Sequence, residues 1–485
     1  MYSLGIPRLR GRWAACVLAW LLCGAAAAQP VPALPPEVQA ALAAARLPPE
    51  ALAVVVADAD APRKPPRLAW RAQVPMNPAS VMKLVTTFAA LEQLGPAYTW
   101  QTPVYLEGAL QGGTLQGNVY IQGRGDPKLV VERLWLLLRR LQAQGVQAIA
   151  GDIVLDRSAF SPGAHDPAAF DGEPSRPYNV APDALLVNYQ AIVLTFVPDS
   201  AAGVARVSYE PPLAGMQLQA SVPLAAPGAA CGDWRQGLRA ELGEAARIAF
   251  AGVFPAACGE RAWAVAPAQP AAFGARAIEG MWRALGGTLA GQVREGRVPA
   301  GLQPAFSAAS PALAEVVRDI NKYSNNVMTQ QVFLTLGLQK GGAGSFEAAR
   351  EALQRWWRQR LGSDAEFPVV DNGAGLSREA RISAQALARM LQLAWAAPVM
   401  PEYLASLPIA GVDGTLRRSA SRAAGAAHLK TGSLRDVMAV AGYVHAANGR
   451  RQVLVALVNH ANAAAARPVL DALIDWTARG VDTAP

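Results

Sequence analysis

Asn77-Pro78-Ala79-Ser80-Val81-Met82-Lys83 is the stretch from which the rest of this chain can be read. Asn77 is a good N-cap and Pro78 suits the first helical position, so a helix is predicted from here to about Gln93, with Gly95-Pro96 as its stop. Residues three apart share a helix face, so Ser80 and Lys83 can touch. Ser80 falls in the first turn, where backbone N–H groups lack intrahelical acceptors and the helix dipole is positive. A hydroxyl, an amine and free N–H donors at one point are the parts of a nucleophilic centre that needs no histidine.

Two further strings follow in order, Ser324-Asn325-Asn326 and Lys430-Thr431-Gly432. Of 44 basic residues only six are lysine (Lys64, Lys83, Lys128, Lys322, Lys340 and Lys430), so arginine supplies most of the plain positive charge. Arginine keeps its proton in proteins, whereas a buried lysine shifts its pKa and can act as a base. Two of those six lysines fall within the three strings. Ser324 and Asn326 are expected on a turn after a helix ending near Asn321, facing one cleft. Ser324 is read as a proton relay from Lys83 to the leaving amine, and Asn326 as a holder of a substrate amide. Lys430 and Gly432 share one face of an extended segment, where the missing side chain of Gly432 lets substrate backbone approach. Thr431 lies between them, and the Ser433 N–H is expected to complete an oxyanion hole with that of Ser80. No G-x-S-x-G elbow accompanies them.

At 485 residues, 52% hydrophobic and 16% charged, the chain is globular and long enough for two or three domains. Arg8, Arg10 and Arg12 precede the apolar run Trp13 to Leu22, and Ala26-Ala27-Ala28 offers a small-residue cleavage site, so residues 1–28 read as a secretory signal peptide. Leu22 before Cys23 is too large for the usual lipobox. The mature protein is expected in the periplasm, loosely associated with membrane or wall at most. Its formal charge falls from +8 to +5 with the three leader arginines gone. That excess is dispersed, and no nucleic-acid partner is expected. Cys231 and Cys258 remain after the leader, and an even pair in an exported protein is most simply a disulfide. The four histidines show no ligand spacing with them, so no metal and no cofactor are expected.

Organisation agrees with this division. Pro35 to Arg46 reads as a helix and Leu52 to Asp58 as a buried strand. From about 97 to 304 short strands with glycine punctuation predominate. After that, helical patterns return at Leu313 to Ile320 and Ala384 to Ala396. Asn448-Gly449 signals a type I′ hairpin, and a terminal helix is predicted near Val469 to Arg479. Trp356-Trp357 reads as core packing, and Gly123-Arg124-Gly125-Asp126 as a tight turn.

The ordered S-x-x-K, S-x-N and K-T-G elements resemble those of serine acyl-transferases that react with penicillin. The whole mature chain is similar to the low-molecular-mass class C penicillin-binding proteins, which are D-alanyl-D-alanine carboxypeptidases and endopeptidases. The likeness includes Gly123-x-Gly-Asp126-Pro127, Asp371-Asn-Gly-Ala-Gly-Leu-Ser-Arg378 and Leu407-Pro-Ile-Ala-Gly-Val-Asp-Gly-Thr415, and the 240 residues between Lys83 and Ser324. It implies an α/β (α+β) fold of the β-lactamase/transpeptidase type. The catalytic domain is then discontinuous (29–96 and 305–485), with strand-rich domains at 97–304 inserted between the first two motifs. It implies Ser80 as nucleophile toward peptidoglycan stem peptides, Lys83 as general base, and β-lactams as covalent inhibitors. It also implies that Arg378 and Asp171 recognise a diaminopimelate side chain. A β-lactamase and a catalytically idle wall-binding scaffold are the rival readings. A homodimer or a cell-wall complex is left open.

Overall fold

The computed structural model describes residues 1–3, 5, 33–244, 246–338 and 342–480. Most of the leader at 1–28 therefore lies outside the described residues. Leu52–Asp58 forms a strand as its uniform hydrophobicity predicts. It has no polar alternation because both of its faces are covered: Ala53 and Val55 enter one core, Leu52, Val54 and Val56 another. It lies inside a five-stranded sheet ordered Leu68–Trp70, Leu52–Asp58, Arg451–Asn459, Val437–His445, Ala427–Leu434. Every pairing is antiparallel. Helices Pro36–Ala44 and Arg467–Arg479 cover one face.

The other face packs on helices, with Lys83–Leu94 among them. That helix is buried on nearly all sides, so it lacks the amphipathic stripe of a surface helix. Its polar residues are satisfied internally: Thr86 Oγ1 donates to Gly373 O (2.7 Å) and Thr87 Oγ1 to Lys83 O (2.8 Å). Around it stand Leu313–Tyr323, Asn326–Leu338, Phe346–Leu361 and Ala384–Trp395. Phe88 meets the Trp356 ring edge-on at 5.4 Å, and both tryptophans of the 356–357 pair are buried. Together these elements give the mixed α/β architecture expected of the fold.

A separate core is drawn wholly from residues between Val104 and Phe306. It contains small sheets and two longer helices, Val131–Ala143 and Pro270–Ala284. Cys231 and Cys258 are joined by a disulfide in this region. The chain enters and leaves it through a paired stem, Gln101–Leu106 antiparallel to Phe306–Ala309. Below the stem, Trp100 N–H donates to Ser310 Oγ and Ser310 N–H to Trp100 O, both at 2.9 Å. Lys128 from the inserted region pairs with Asp319 on the helix that leads to Ser324.

Two local expectations change. The turn at Asn448-Gly449 is a hairpin, but a type I′ turn needs positive φ at both central residues, and only Gly449 has it (+81°). Instead, Gly449 N–H donates to Ala446 O and Ala446 N–H to Arg450 O, a longer loop with glycine in the left-handed position. The helix after Asn77 starts as a 3₁₀ turn, Ala79–Met82, and becomes α-helical at Lys83.

Candidate active site

The 3₁₀ turn follows from Asn77, which caps by a different bond from the one expected. Its Oδ1 accepts the Ala79 N–H at 2.8 Å, closing a turn that holds Ala79 at φ +47°. Such a backbone costs about 1–3 kcal/mol and persists only where its surroundings fix it. Here Asn77 is itself pinned: its N–H donates to Asn459 Oδ1 (2.7 Å) and its Nδ2 to Ser377 O (2.9 Å). Ser80 thus sits at the mouth of a tightened first turn, half-buried.

Lys83 is fully buried, and three oxygens surround its Nζ: Ser80 Oγ at 3.0 Å, Asn326 Oδ1 at 2.6 Å and Ala374 O at 2.6 Å. The last two only accept. A neutral amine has two N–H bonds and one lone pair, so when both N–H groups are so engaged the lone pair faces Ser80. Burial, aided by the charge of Lys430, holds Lys83 well below the usual lysine range. The Ala374 carbonyl could not be read from the three motifs. The φ values of Gly373 (+71°) and Gly375 (+73°) mark the bend that presents it.

Ser324 ends its helix in the left-handed conformation (φ +58°) and Asn326 begins the next helix, so one tight reversal turns both toward the cleft. Asn326 Oδ1 reaches Lys83, while its Nδ2 makes a long bond (3.4 Å) to Tyr178 O of the inserted region. Ser324 does not bond Lys83, contrary to the relay expected. Its Oγ accepts from Lys430 Nζ at 2.9 Å. Lys430 is also fully buried, donates to Thr431 O at 2.7 Å, and is brought by burial to about 7.

The strand Ala427–Leu434 is the free edge of the main sheet. His445 N–H donates to Ala426 O, while Leu429 N–H points the other way, to Pro408 O. Antiparallel alternation therefore turns the Thr431 and Ser433 N–H groups outward as well, toward the cleft. Gly432 runs against the turn that carries Ser80: a Cβ there would fall 2.5 Å from Pro78 O and 3.1 Å from Ser80 N. The absence of a side chain is what lets the two oxyanion candidates converge. Thr431 Oγ1 stands 2.6 Å from Thr415 Oγ1, a partner not foreseen from sequence.

Arg378 lies farther out, exposed, paired with Asp436 (3.1 Å) and stacked over the Phe170 ring at 4.7 Å. Asp171 follows Phe170 and accepts from Tyr178 OH and Asn179 Nδ2, both at 2.7 Å. These bonds hold its carboxyl below the usual range despite partial burial. The loop carrying Asp171 therefore reaches Arg378 through Phe170 and Asn326 through Tyr178. Among the described residues no helix is long and apolar enough to cross a membrane, and no group of three or more metal-ligating side chains converges.

The comparisons agree with this geometry. The model of the D-Ala-D-Ala carboxypeptidase 3 (S13) family matches residues 34–480. A D-alanyl-D-alanine carboxypeptidase from an Actinomadura species is 32% identical over 413 residues, which cover 79% of this chain and 73% of the relative. The carboxypeptidase DacB of Haemophilus influenzae is 25% identical over 391 residues, 79% of this chain and 80% of that one. The crystal structure of penicillin binding protein 4 from Haemophilus influenzae superposes with a TM-score of 0.70 at 22% identity, covering 90% of this chain and 98% of that one. A predatory endopeptidase from Bdellovibrio bacteriovorus shares the fold with a TM-score of 0.53 at 15% identity, over 87% and 92% of the two chains. With Ser80 and Lys83 in contact and the other two motifs around them, the chain is a serine-type D-Ala-D-Ala carboxypeptidase and belongs to the D-Ala-D-Ala carboxypeptidase 3 (S13) family.

Proposed function

We propose that Ser80 is the nucleophile, Lys83 its base, and the Lys430–Ser324 pair the acid. The observation that carries this reading is the placement of Lys83 Nζ between two acceptors and Ser80 Oγ. Ser80 gives its proton to Lys83 as Oγ attacks the scissile carbonyl. The N–H of Ser80 and the outward N–H of Ser433 receive the developing oxyanion. Ser324 then passes a proton from Lys430 to the leaving amine, and the acyl-enzyme remains. Water attacks the ester in the second half, its proton returns through Ser324 to Lys430, and Lys83 gives its proton back to Ser80 Oγ. Both lysines end as they began.

The substrate is the peptidoglycan stem peptide, laid along the open edge of Ala427–Leu434 with Asn326 Nδ2 on its amide. Residues 97–304 form the inserted unit between the two parts of the catalytic domain. From it, Asp171 joins Arg378 to recognise the ends of a diaminopimelate side chain. The protein acts in the periplasm after removal of residues 1–28, cleaves cross-links as an endopeptidase as well as trimming ends, and is acylated by penicillins. The structure of penicillin binding protein 4 from Haemophilus influenzae complexed with a β-lactam supports the last point. The test is to label purified protein with a fluorescent penicillin, map the adduct, and assay D-alanine release and cross-linked muropeptide cleavage. An adduct on Ser80 that disappears in Ser80→Ala, together with loss of both activities, is expected. Labelling elsewhere overturns the assignment.

A further inference from the structure

The C-terminal end of Phe346–Leu361, the loop that follows it and the first two turns of Ala384–Trp395 surround an open cavity of about 350 Å³. It lies apart from the groove, since none of the residues that line it belongs to the three motifs. One side is closed by Gln73 and Ser383, beside the two-stranded ribbon in which Ile382–Ser383 pairs with Pro75–Met76. Gln385 N–H donates to Ala72 O at 2.8 Å and holds the helix start against this ribbon.

Trp357 lines this cavity. Its side chain is wholly buried, and its indole N–H meets no acceptor among the described residues. Trp100, Trp282 and Trp356, also buried, are all satisfied: their Nε1 groups donate to Thr335 Oγ1 (2.9 Å), Thr288 O (3.0 Å) and Glu92 Oε2 (2.8 Å). A buried donor left unpaired costs stability, so this one marks a place for a group that accepts. The same cavity carries charge of both signs. Arg389, one helical turn beyond Gln385, is exposed and pairs with no carboxylate of the described residues, although Asp364 and Glu366 line the cavity with it. Asp364 takes a single bond, from Ser363 Oγ at 3.2 Å, and Glu366 takes none from the described residues. Leu361 and Ala386 supply apolar surface between them.

The polar groups restrict what fits. A simple anion satisfies Trp357 and Arg389 but is repelled by Asp364 and Glu366. A simple cation leaves the indole N–H and Arg389 unmet. A molecule with a carboxylate and an ammonium a few bonds apart answers both sets, and the volume suits an amino acid or a dipeptide. We infer that this cavity is a second binding site, for a small zwitterion of that size. Its carboxylate accepts from Trp357 Nε1 and Arg389, its ammonium donates to Asp364 and Glu366, and Leu361 and Ala386 take its apolar part. The D-alanine released by the enzyme's own reaction belongs to this class, and the ribbon beside the cavity leads directly into Asn77.

The test is to titrate D-alanyl-D-alanine into nitrogen-15-labelled protein saturated with benzylpenicillin, so that binding in the groove is suppressed. The readout is the indole N–H resonance of Trp357, identified by its loss in Trp357→Phe. That resonance is expected to move with the dipeptide. Arg389→Ala and Glu366→Gln are each expected to raise the dissociation constant read from it about tenfold, as for loss of a hydrogen bond to a charged group. Capping either end of the dipeptide, by N-acetylation or C-terminal amidation, is expected to weaken binding by a similar factor. Both substituted residues are exposed, so these variants should fold normally and take up penicillin at the normal rate. A Trp357 resonance that stays in place at millimolar dipeptide overturns the site. So does an unchanged dissociation constant in either variant or with either capped dipeptide.

Discussion

Lys430 Nζ donates to Ser324 Oγ at 2.9 Å, so the serine of the second motif is tied to the third motif, while Asn326 ties the same motif to Lys83 of the first. In the proposed mechanism Lys83 and Ser324 then serve opposite ends of the reaction. Ser324→Ala is expected to slow peptide hydrolysis by about 10²–10⁴, the range for loss of a positioned acid or base. It is also expected to leave a longer-lived penicilloyl adduct, because water loses its proton by the same route. Stopped-flow acylation and decay of a fluorescent adduct measure the two halves separately. An unchanged adduct lifetime would refute the shared route.

The two buried lysines set the pH response. In the proposed mechanism acylation requires Lys83 neutral and Lys430 charged, so kcat/KM for D-alanine release should rise with pH as Lys83 loses its proton. It should fall as Lys430 loses its own near 7. Lys430→Arg keeps its charge but cannot give up a proton, so it should remove the acid and lower kcat/KM across the whole pH range.

Stability carries a different signature of the same residue. Between about 7 and the ordinary lysine value of 10.5, the unfolded chain holds a proton that folded Lys430 has lost. The contribution of this group to stability therefore grows as pH rises through that window. Lys430→Met should flatten the rise, read as urea midpoints at pH 7 and pH 10.

Gly375 packs against the turn that carries Ser80. A Cβ there would lie 1.9 Å from Ala79 O, at a φ of +73° that L side chains rarely adopt. Gly375→Ala should displace the Ala79–Met82 turn and withdraw the Ala374 carbonyl from Lys83. Loss of penicillin labelling by about 10²-fold or more, with an unaltered far-ultraviolet circular dichroism spectrum, is the expected result. Labelling at the normal rate would show that the turn tolerates the shift.

Cys231 and Cys258 close a loop across 27 positions. Chain-entropy arguments put the contribution of such a closure at about 3–4 kcal/mol. Changing both to serine should lower the denaturant midpoint of the inserted region. Ser80 should still be labelled at low denaturant, since the catalytic residues draw on the other cores. Simultaneous loss of both signals would show that the regions unfold as one.

How far the sequence could be read depends on how local each cause is. Leu52–Asp58 was legible because a strand buried on both faces is uniformly apolar. The helices at Leu313 and Ala384 were legible from their periodicity. The order of the three motifs named the chemistry, and the distances among Ser80, Lys83, Asn326, Ser324 and Lys430 bring those residues together. The pairing among them was less legible: nothing local says that Ser324 leans on Lys430. The third oxygen around Lys83 is a backbone carbonyl 291 positions away, and a carbonyl leaves no mark in a sequence. The 3₁₀ start was hidden because Ala79 adopts positive φ through bonds from Asn77 to residues far along the chain. Phe170 beneath Arg378 is likewise a contact between distant loops.

The paired stem at Gln101–Leu106 and Phe306–Ala309 makes the chain's long excursion economical. Because its two ends are already zipped together, the core around Ser80 experiences those two hundred or so residues as it would a short hairpin loop. Growth or exchange above the stem that keeps the Lys128–Asp319 and Tyr178–Asn326 contacts leaves the spacing of Lys83 and Ser324 in place. A scaffold built in this way can change what it grips, one loop at a time, while its reaction centre stays fixed.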